Sequence, residues 1–150
     1  MIIASKILTL TSTNRRELID ITDEVLDFTR EQRVANGMCT VSAPHATAAI
    51  IANENENGLR RDLLAKIEEL FPESGQYRHN AIDDNADAHV AAAFLGHSIM
   101  FPIVKERLVR GTWQNIFLVE LDGPRSRREV CIQIMGRTSA FQSLTDENPK

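Results

Sequence analysis

The chain lacks a basic surplus. Seventeen lysines and arginines stand against 21 acidic residues, a formal net charge of −4, which argues against a general nucleic-acid binder. It is poor in cysteine. Cys39 and Cys131 lie too far apart for a metal knuckle or a redox CxxC pair. Both fall within apolar strand-like runs and read as inert core thiols, which suits a reducing cytoplasm. No apolar run approaches the roughly 18 residues that a membrane span requires. The opening "MIIASKILTL" has neither a basic n-region nor a small-residue cleavage site, so it reads as a first strand and not as a signal peptide. HExxH, GxSxG and internal repeats are all missing, so no nucleophile or metal motif can be read from the chain directly. The expectation is one soluble, cytoplasmic domain over residues 1–150, with no nucleic-acid or membrane partner and a loose tail over 137–150.

What is present is a patterned set of short elements. Residues 2–10 and about 16–21 read as a strand pair around "TSTN". Thr22 is the expected N-cap of a helix to about Arg33, with Asp23 and Glu24 on the positive end of its dipole and Asn36-Gly37 as its stop. "MCTVSA" (38–43) and "TAAIIANE" (47–54) read as strands. After Gly58, the stripe Leu59, Leu63, Ile67 and Leu70 predicts an amphipathic helix ended by Pro72. "SGQYRHNAIDD" reads as a loop. An alanine-rich helix follows, capped by Asn85 and stopped by Gly96. Strands over 98–104, 112–121 and 128–136 complete the order ββαββααβββ, an α+β fold of mostly antiparallel, sandwich-like sheets with about three helices.

Four histidines mark the ends of these elements. His45 follows Pro44 in a turn, His79 lies in the polar loop, His89 is one turn after Asn85, and His97 follows Gly96. Taken alone, His89 reads as a satisfied core histidine and the others as turn or loop residues. Together, His45, His79 and His89 lie where side chains can converge on one pocket. Glu54 ends an apolar strand and sits at the rim of the core. Alternation along its strand puts Glu120 on the face of Ile116 and Leu118, where a buried carboxylate needs a partner such as Arg125. Arg125, Arg127 and Arg128 read as a solvated basic loop. Trp113 begins a strand, as a cap on the core or as the floor of a ring-binding pocket.

The pieces "PHATAAIIANENENGLRRDLL", "YRHN", "NADAHVAAAFLGHS" and "GTWQNIFLVELDGPR", in this order, resemble the YjbQ-like family, many of whose members carry the label secondary thiamine-phosphate synthase. The resemblance implies a homotrimer and a metal site made by His45, His79 and His89. It matches Glu54 and Asp62 to the family's acidic positions, and "GTWQ" and "DGPR" to Gly111–Gln114 and Asp122–Arg125. One position departs: the family's "HTT" is "HAT" here, so Ala46 replaces a hydroxyl.

Three imidazoles on one ion favour zinc, with a fourth position open; magnesium fits if the substrate brings a diphosphate. On this reading Glu54 and Arg125 are the catalytic residues, and Asn85, Trp113 and Gln114 bind a phosphorylated small molecule. Two alternatives stay open. One is a metal-dependent hydrolase of a phosphorylated or cyclic small molecule; the other is a non-catalytic trimeric module that binds a metal or ligand.

Overall fold

The computed structural model of the chain describes residues 1–138. The elements run β1 (Ile2–Leu10), β2 (Glu17–Asp20), α1 (Thr22–Gln32), β3 (Val34–Ser42), β4 (Ala48–Asn53), α2 (Asn57–Leu70), a 3-10 turn (Arg78–Ala81), α3 (Ala86–Leu95), β5 (Ser98–Val104), β6 (Arg107–Leu108), β7 (Asn115–Glu120) and β8 (Arg128–Thr138). The expected α+β order is present, with the two-residue β6 added. Two antiparallel sheets form, a large one ordered β1-β8-β3-β5-β6 and a small one ordered β2-β7-β4.

Strand alternation sets the layers. On β7, Ile116 and Leu118 face the large sheet and join Val41, Ile103, Val130, Ile132 and Ile134 in one core, which α1 completes with Val25 and Phe28. Phe117 and Val119 point the other way, into a second core with Ile67 of α2 and Ala88, Ala91 and Ala92 of α3. The small sheet is thus the middle layer, buried on both faces, which explains its nearly continuous apolar sequence. The outer face of the large sheet is different. Ile3, Met135 and Met38 stand in one register row and are 66%, 38% and 43% exposed.

Several sequence-based expectations need correction. β1 and β2 do not pair with each other: β1 pairs with β8 and β2 with β7, because residues 11–16 cross between the sheets, held where Ser12 N–H donates to the Arg125 carbonyl. Thr22 is the first helical residue and not the cap. Its N–H donates to Asp20 Oδ1, and its hydroxyl accepts from the Ile116 N–H. Burial pushes the Asp20 carboxyl up, but hydrogen bonds from Thr22, Asn115 and Asn55 outweigh this and leave it below its usual range. Helix α1 ends at Arg33, which takes a left-handed conformation (φ 50°), so Asn36 and Gly37 belong to β3. Gly37 is needed there because a Cβ would sit 2.2 Å from the Met135 carbonyl oxygen. Gly58 lies inside α2, which Glu56 caps by accepting from the Gly58 and Leu59 amides. Leu70, expected on the packed stripe, is 61% exposed.

Cys39 is buried, and burial pushes its thiol up to about 11. Cys131 is not a core residue: it is half-buried, in register with Ile7 on the outer face. The tail expected over 137–150 starts too early, since Arg137 and Thr138 pair with Asn36 and Val34 in the sheet. Its remainder, including Phe141 and Leu144, lies outside the described residues. No helix among the described residues is long and apolar enough to cross a membrane.

Candidate functional site

The alanines of α3 let it lie close against β4, and this packing brings His89 beside Ala48. Past β3, the turn at Pro44 is tied down by the backbone: His45 N–H donates to the Ala43 carbonyl, and Ala43 N–H donates to the His97 carbonyl at 2.8 Å. These constraints make an open cleft of about 280 Å³ lined by His45, His89 and His97, with Ala46, Ala48, Ala92 and Ala93 between them. His79, on the 3-10 turn, lies outside that lining but meets the His89 ring edge-on, with centroids 4.9 Å apart. The four imidazoles therefore stand at one end of the fold. His97 was not among the expected site residues. It could have been found by pairing strands: Ser42 opposes Ser98, so residues just past 42 and just before 98 must emerge together.

A buried charge network lies beneath the cleft. Glu120 is on the inter-sheet face as expected, but its partner is Arg128 and not Arg125. Arg128 Nη2 and Nε donate to its two oxygens at 2.5 and 2.8 Å. Ser12 and the Leu121 and Asp122 amides complete its partners. Burial pushes the Glu120 carboxyl up, but these bonds and the Arg128 charge outweigh it and hold the group below its usual range. Arg128 is only 5% exposed, so it does not belong to a solvated basic loop. Arg128 also donates to Thr47, at the foot of the histidine turn.

A second network begins at Asp122, which accepts from Asn85 Nδ2, Arg125 Nη2 and Arg15. Burial again opposes the charge, and these partners overcome it, so the carboxyl is held below its normal range. Arg15 and Arg16 also pair with Asp87, buried in the first turn of α3. Asn85 stands at the N-cap position of α3 but does not cap it; its amide nitrogen is turned to Asp122. Its Oδ1 is buried with no hydrogen-bond partner among the described residues.

The other expected site residues are elsewhere. Strand β4 carries the chain from Ala48 at the histidine end to Asn53, and five steps of about 3.3 Å separate these ends by roughly 17 Å. Glu54 follows at the far end, and so do Trp113 and Gln114, since Asn53 pairs with Asn115. Trp113 is in a turn ahead of β7 and is 70% exposed. The Gln114 side chain accepts the Gly111 N–H and closes its own turn. Within one chain, then, Glu54, Trp113 and Gln114 do not join the histidines. Asp62 is exposed on α2.

The ring of His45 is constrained on one side. Its Nε2 accepts the Glu129 backbone N–H at 2.8 Å. Burial, reinforced by the Arg128 charge, holds its pKa below the usual histidine value, with the Glu129 and Glu120 carboxylates pulling the other way. Among the described residues, no group of three or more His, Cys, Asp or Glu side chains is placed to hold a metal ion. The 4.9 Å spacing and 74° interplanar angle of the His79–His89 pair are those of an edge-on ring contact.

Comparison with known proteins agrees with this architecture. A family model described as UPF0047 protein YjbQ-like matches residues 6–137. A UPF0047 protein of Archaeoglobus fulgidus is 45% identical over 123 residues, covering 82% of this chain and 95% of the relative. YugU of Bacillus subtilis, also a UPF0047 protein, is 38% identical over 134 residues, covering 87% and 98%. Among solved structures, a YbjQ-like protein of unknown function from Sulfolobus solfataricus P2 superposes with a TM-score of 0.89 at 47% identity, covering 90% of this chain and 98% of that one. The hypothetical protein APE1520 of Aeropyrum pernix K1 gives 0.86 at 36% identity, covering 89% and 99%. With a match across nearly all the described residues in both sequence and shape, the chain belongs to the YjbQ-like UPF0047 family.

Proposed function

We propose that the histidine cleft binds a phosphorylated small molecule and that the chain is a small-molecule enzyme of the cytoplasm, with thiamine-phosphate synthesis as the reaction it supports best. In that reaction a carbon–nitrogen bond forms between the methylene of a pyrimidine methyl diphosphate and the thiazole nitrogen of a thiazole phosphate, and pyrophosphate leaves with the bonding electrons. The observation that carries the reading is the convergence of His45, His89 and His97 on one cleft, with His79 against His89. Imidazoles offer donors to phosphate oxygens. The Arg125 guanidinium, half exposed and oriented by Asp122, offers a cation at the same end.

On this reading His79 and His89, whose rings meet edge-on, would hold a divalent ion. Nitrogen ligands favour zinc over magnesium, and magnesium would enter on a substrate diphosphate. When bound, such an ion would supply charge to anchor a phosphate oxygen. A homotrimer belongs to the same reading, because it would cover the exposed row of Ile3, Met135 and Met38.

The experiment is elemental analysis of the purified chain and of His89→Ala, together with turnover assays. Alanine is tolerated well inside a helix, so the variant should keep its fold while losing both metal and product formation. Hydrolysis of phosphate esters that is abolished by chelation, with no synthase product, would select the hydrolase alternative. Stoichiometric binding without turnover would select the binding module. A wild-type chain without stoichiometric transition metal would remove the metal from the reading.

A further inference from the structure

We infer that His45 donates a hydrogen bond from Nδ1–H to an oxyanion in the histidine cleft, held in that tautomer by the Glu129 amide, and ligates no metal there. The inference rests on reading the cleft as a phosphate-binding site. It departs from the ligand set that the sequence suggests.

The argument is one of valence. A neutral imidazole has one lone pair and one N–H. The lone pair at Nε2 accepts the Glu129 amide at 2.8 Å, so the proton is on Nδ1. A metal at Nδ1 would require that proton to leave, giving an imidazolate. A metal at Nε2 would require the β8 amide to be displaced.

The amide has a structural reason to hold on. The β3–β8 ladder ends at Ser42 opposite Cys131. Glu129 lies two residues further along β8, where β3 has already turned away at Pro44. The imidazole takes the place of the carbonyl that a longer β3 would have supplied. An N–H donated into the ring favours its neutral form, and the neighbouring Arg128 charge acts in the same direction.

With Nε2 taken, Nδ1–H is the remaining polar group of a side chain that lines the cleft. The alanines around it leave room for a tetrahedral anion. A donor in that position calls for an acceptor oxygen such as that of phosphate or pyrophosphate. Any ion then falls to the His79–His89 pair, and His45 and His97 are left to bind the anion.

The test is long-range proton–nitrogen correlation NMR of the histidine rings in the full chain, recorded alone, with inorganic phosphate, and with zinc. The expected result is the Nδ1–H tautomer of His45 before any addition. Its Nδ1 signal should shift with phosphate and stay unmoved by zinc, while signals of His79 and His89 move. Phosphate affinity of two variants gives a second readout. His45→Gln keeps one acceptor and one donor and should bind within about threefold of the parent. His45→Leu keeps neither and should bind about tenfold more weakly.

An Nε2–H tautomer, a zinc-induced shift at a His45 nitrogen, a phosphate addition that leaves Nδ1–H unmoved, or equal loss in both variants would overturn the inference. Failure of the broader reading looks different: the tautomer and the phosphate response would appear as stated, supporting the inference, while no phosphorylated compound was turned over.

Discussion

Replacing Arg128 by methionine should be among the most damaging single changes in this chain. Methionine matches the length of the arginine stem, so the change removes charge and hydrogen bonds more than volume. It leaves the Glu120 carboxylate, 0% exposed, with the Ser12 hydroxyl and two backbone amides but no hydrogen-bonded cation. Breaking one side of a buried ion pair costs about 3–5 kcal/mol, a large part of the 5–15 kcal/mol typical of a whole domain. Urea unfolding followed by far-ultraviolet circular dichroism is the suitable assay, because Trp113 is 70% exposed and its fluorescence would respond weakly. At pH 7 the midpoint should fall with the slope unchanged.

The acid behaviour provides an internal check. In the parent, the depressed Glu120 pKa contributes stability above the unfolded glutamate value of about 4.3. That contribution is lost as pH falls through the folded pKa. In the variant the unpaired carboxyl rises above the unfolded value and gains a proton on folding, so the two stability curves should converge as pH drops. The double variant Arg128→Met, Glu120→Gln should recover part of the loss. A loss below about 1 kcal/mol at pH 7, or curves that stay parallel down to pH 4, would refute the claim that this pair is a buried and obligatory unit.

Two further outcomes are expected. Because His45 is held neutral below its usual pKa, the unfolded chain binds the extra proton. The part of the stability that depends on His45 is thus full above about pH 6.5 and declines as pH falls toward the folded value; His45→Gln should flatten that part of the urea-midpoint profile, and an unchanged profile would count against a neutral ring. Light scattering on a size-exclusion column should give three times the chain mass, and Met38→Asp, on the outer row, should give the single-chain mass with an unaltered circular dichroism spectrum; a monomeric parent would remove the trimer.

The sequence was most legible where periodicity alone decides. β7 is the best case: alternation put Glu120 with Ile116 and Leu118 and opposite Phe117, as found. It was misleading where a residue with a strong local preference serves a tertiary purpose. Asn36-Gly37 looks like a helix stop, but the glycine is there because β8 passes too close for any side chain. Asn85 looks like a cap, but Asp122 claims its amide. The choice of Arg128 over Arg125 as the partner of Glu120 depended on where β8 begins, which no local pattern reveals. For the site, the placing of histidines at element ends was informative in part: His45 and His89 line one cleft, but with His97, and His79 lies outside its lining. Within one chain, grouping Glu54 with them fails on length: a strand cannot bring its two ends together.

Strand β8 lies between β1 and β3. Val130, Ile132 and Ile134 point into the core, Arg128 anchors Glu120, and the Glu129 amide fixes a cleft histidine. A slip of one residue would turn the core residues outward and present a different backbone group to His45. Misregistered chains are therefore penalised by the whole interior, so the His45 ring is aligned in the cleft without any dedicated scaffold. Variation in the cleft can proceed side chain by side chain, while the reference line from which its geometry is measured stays put.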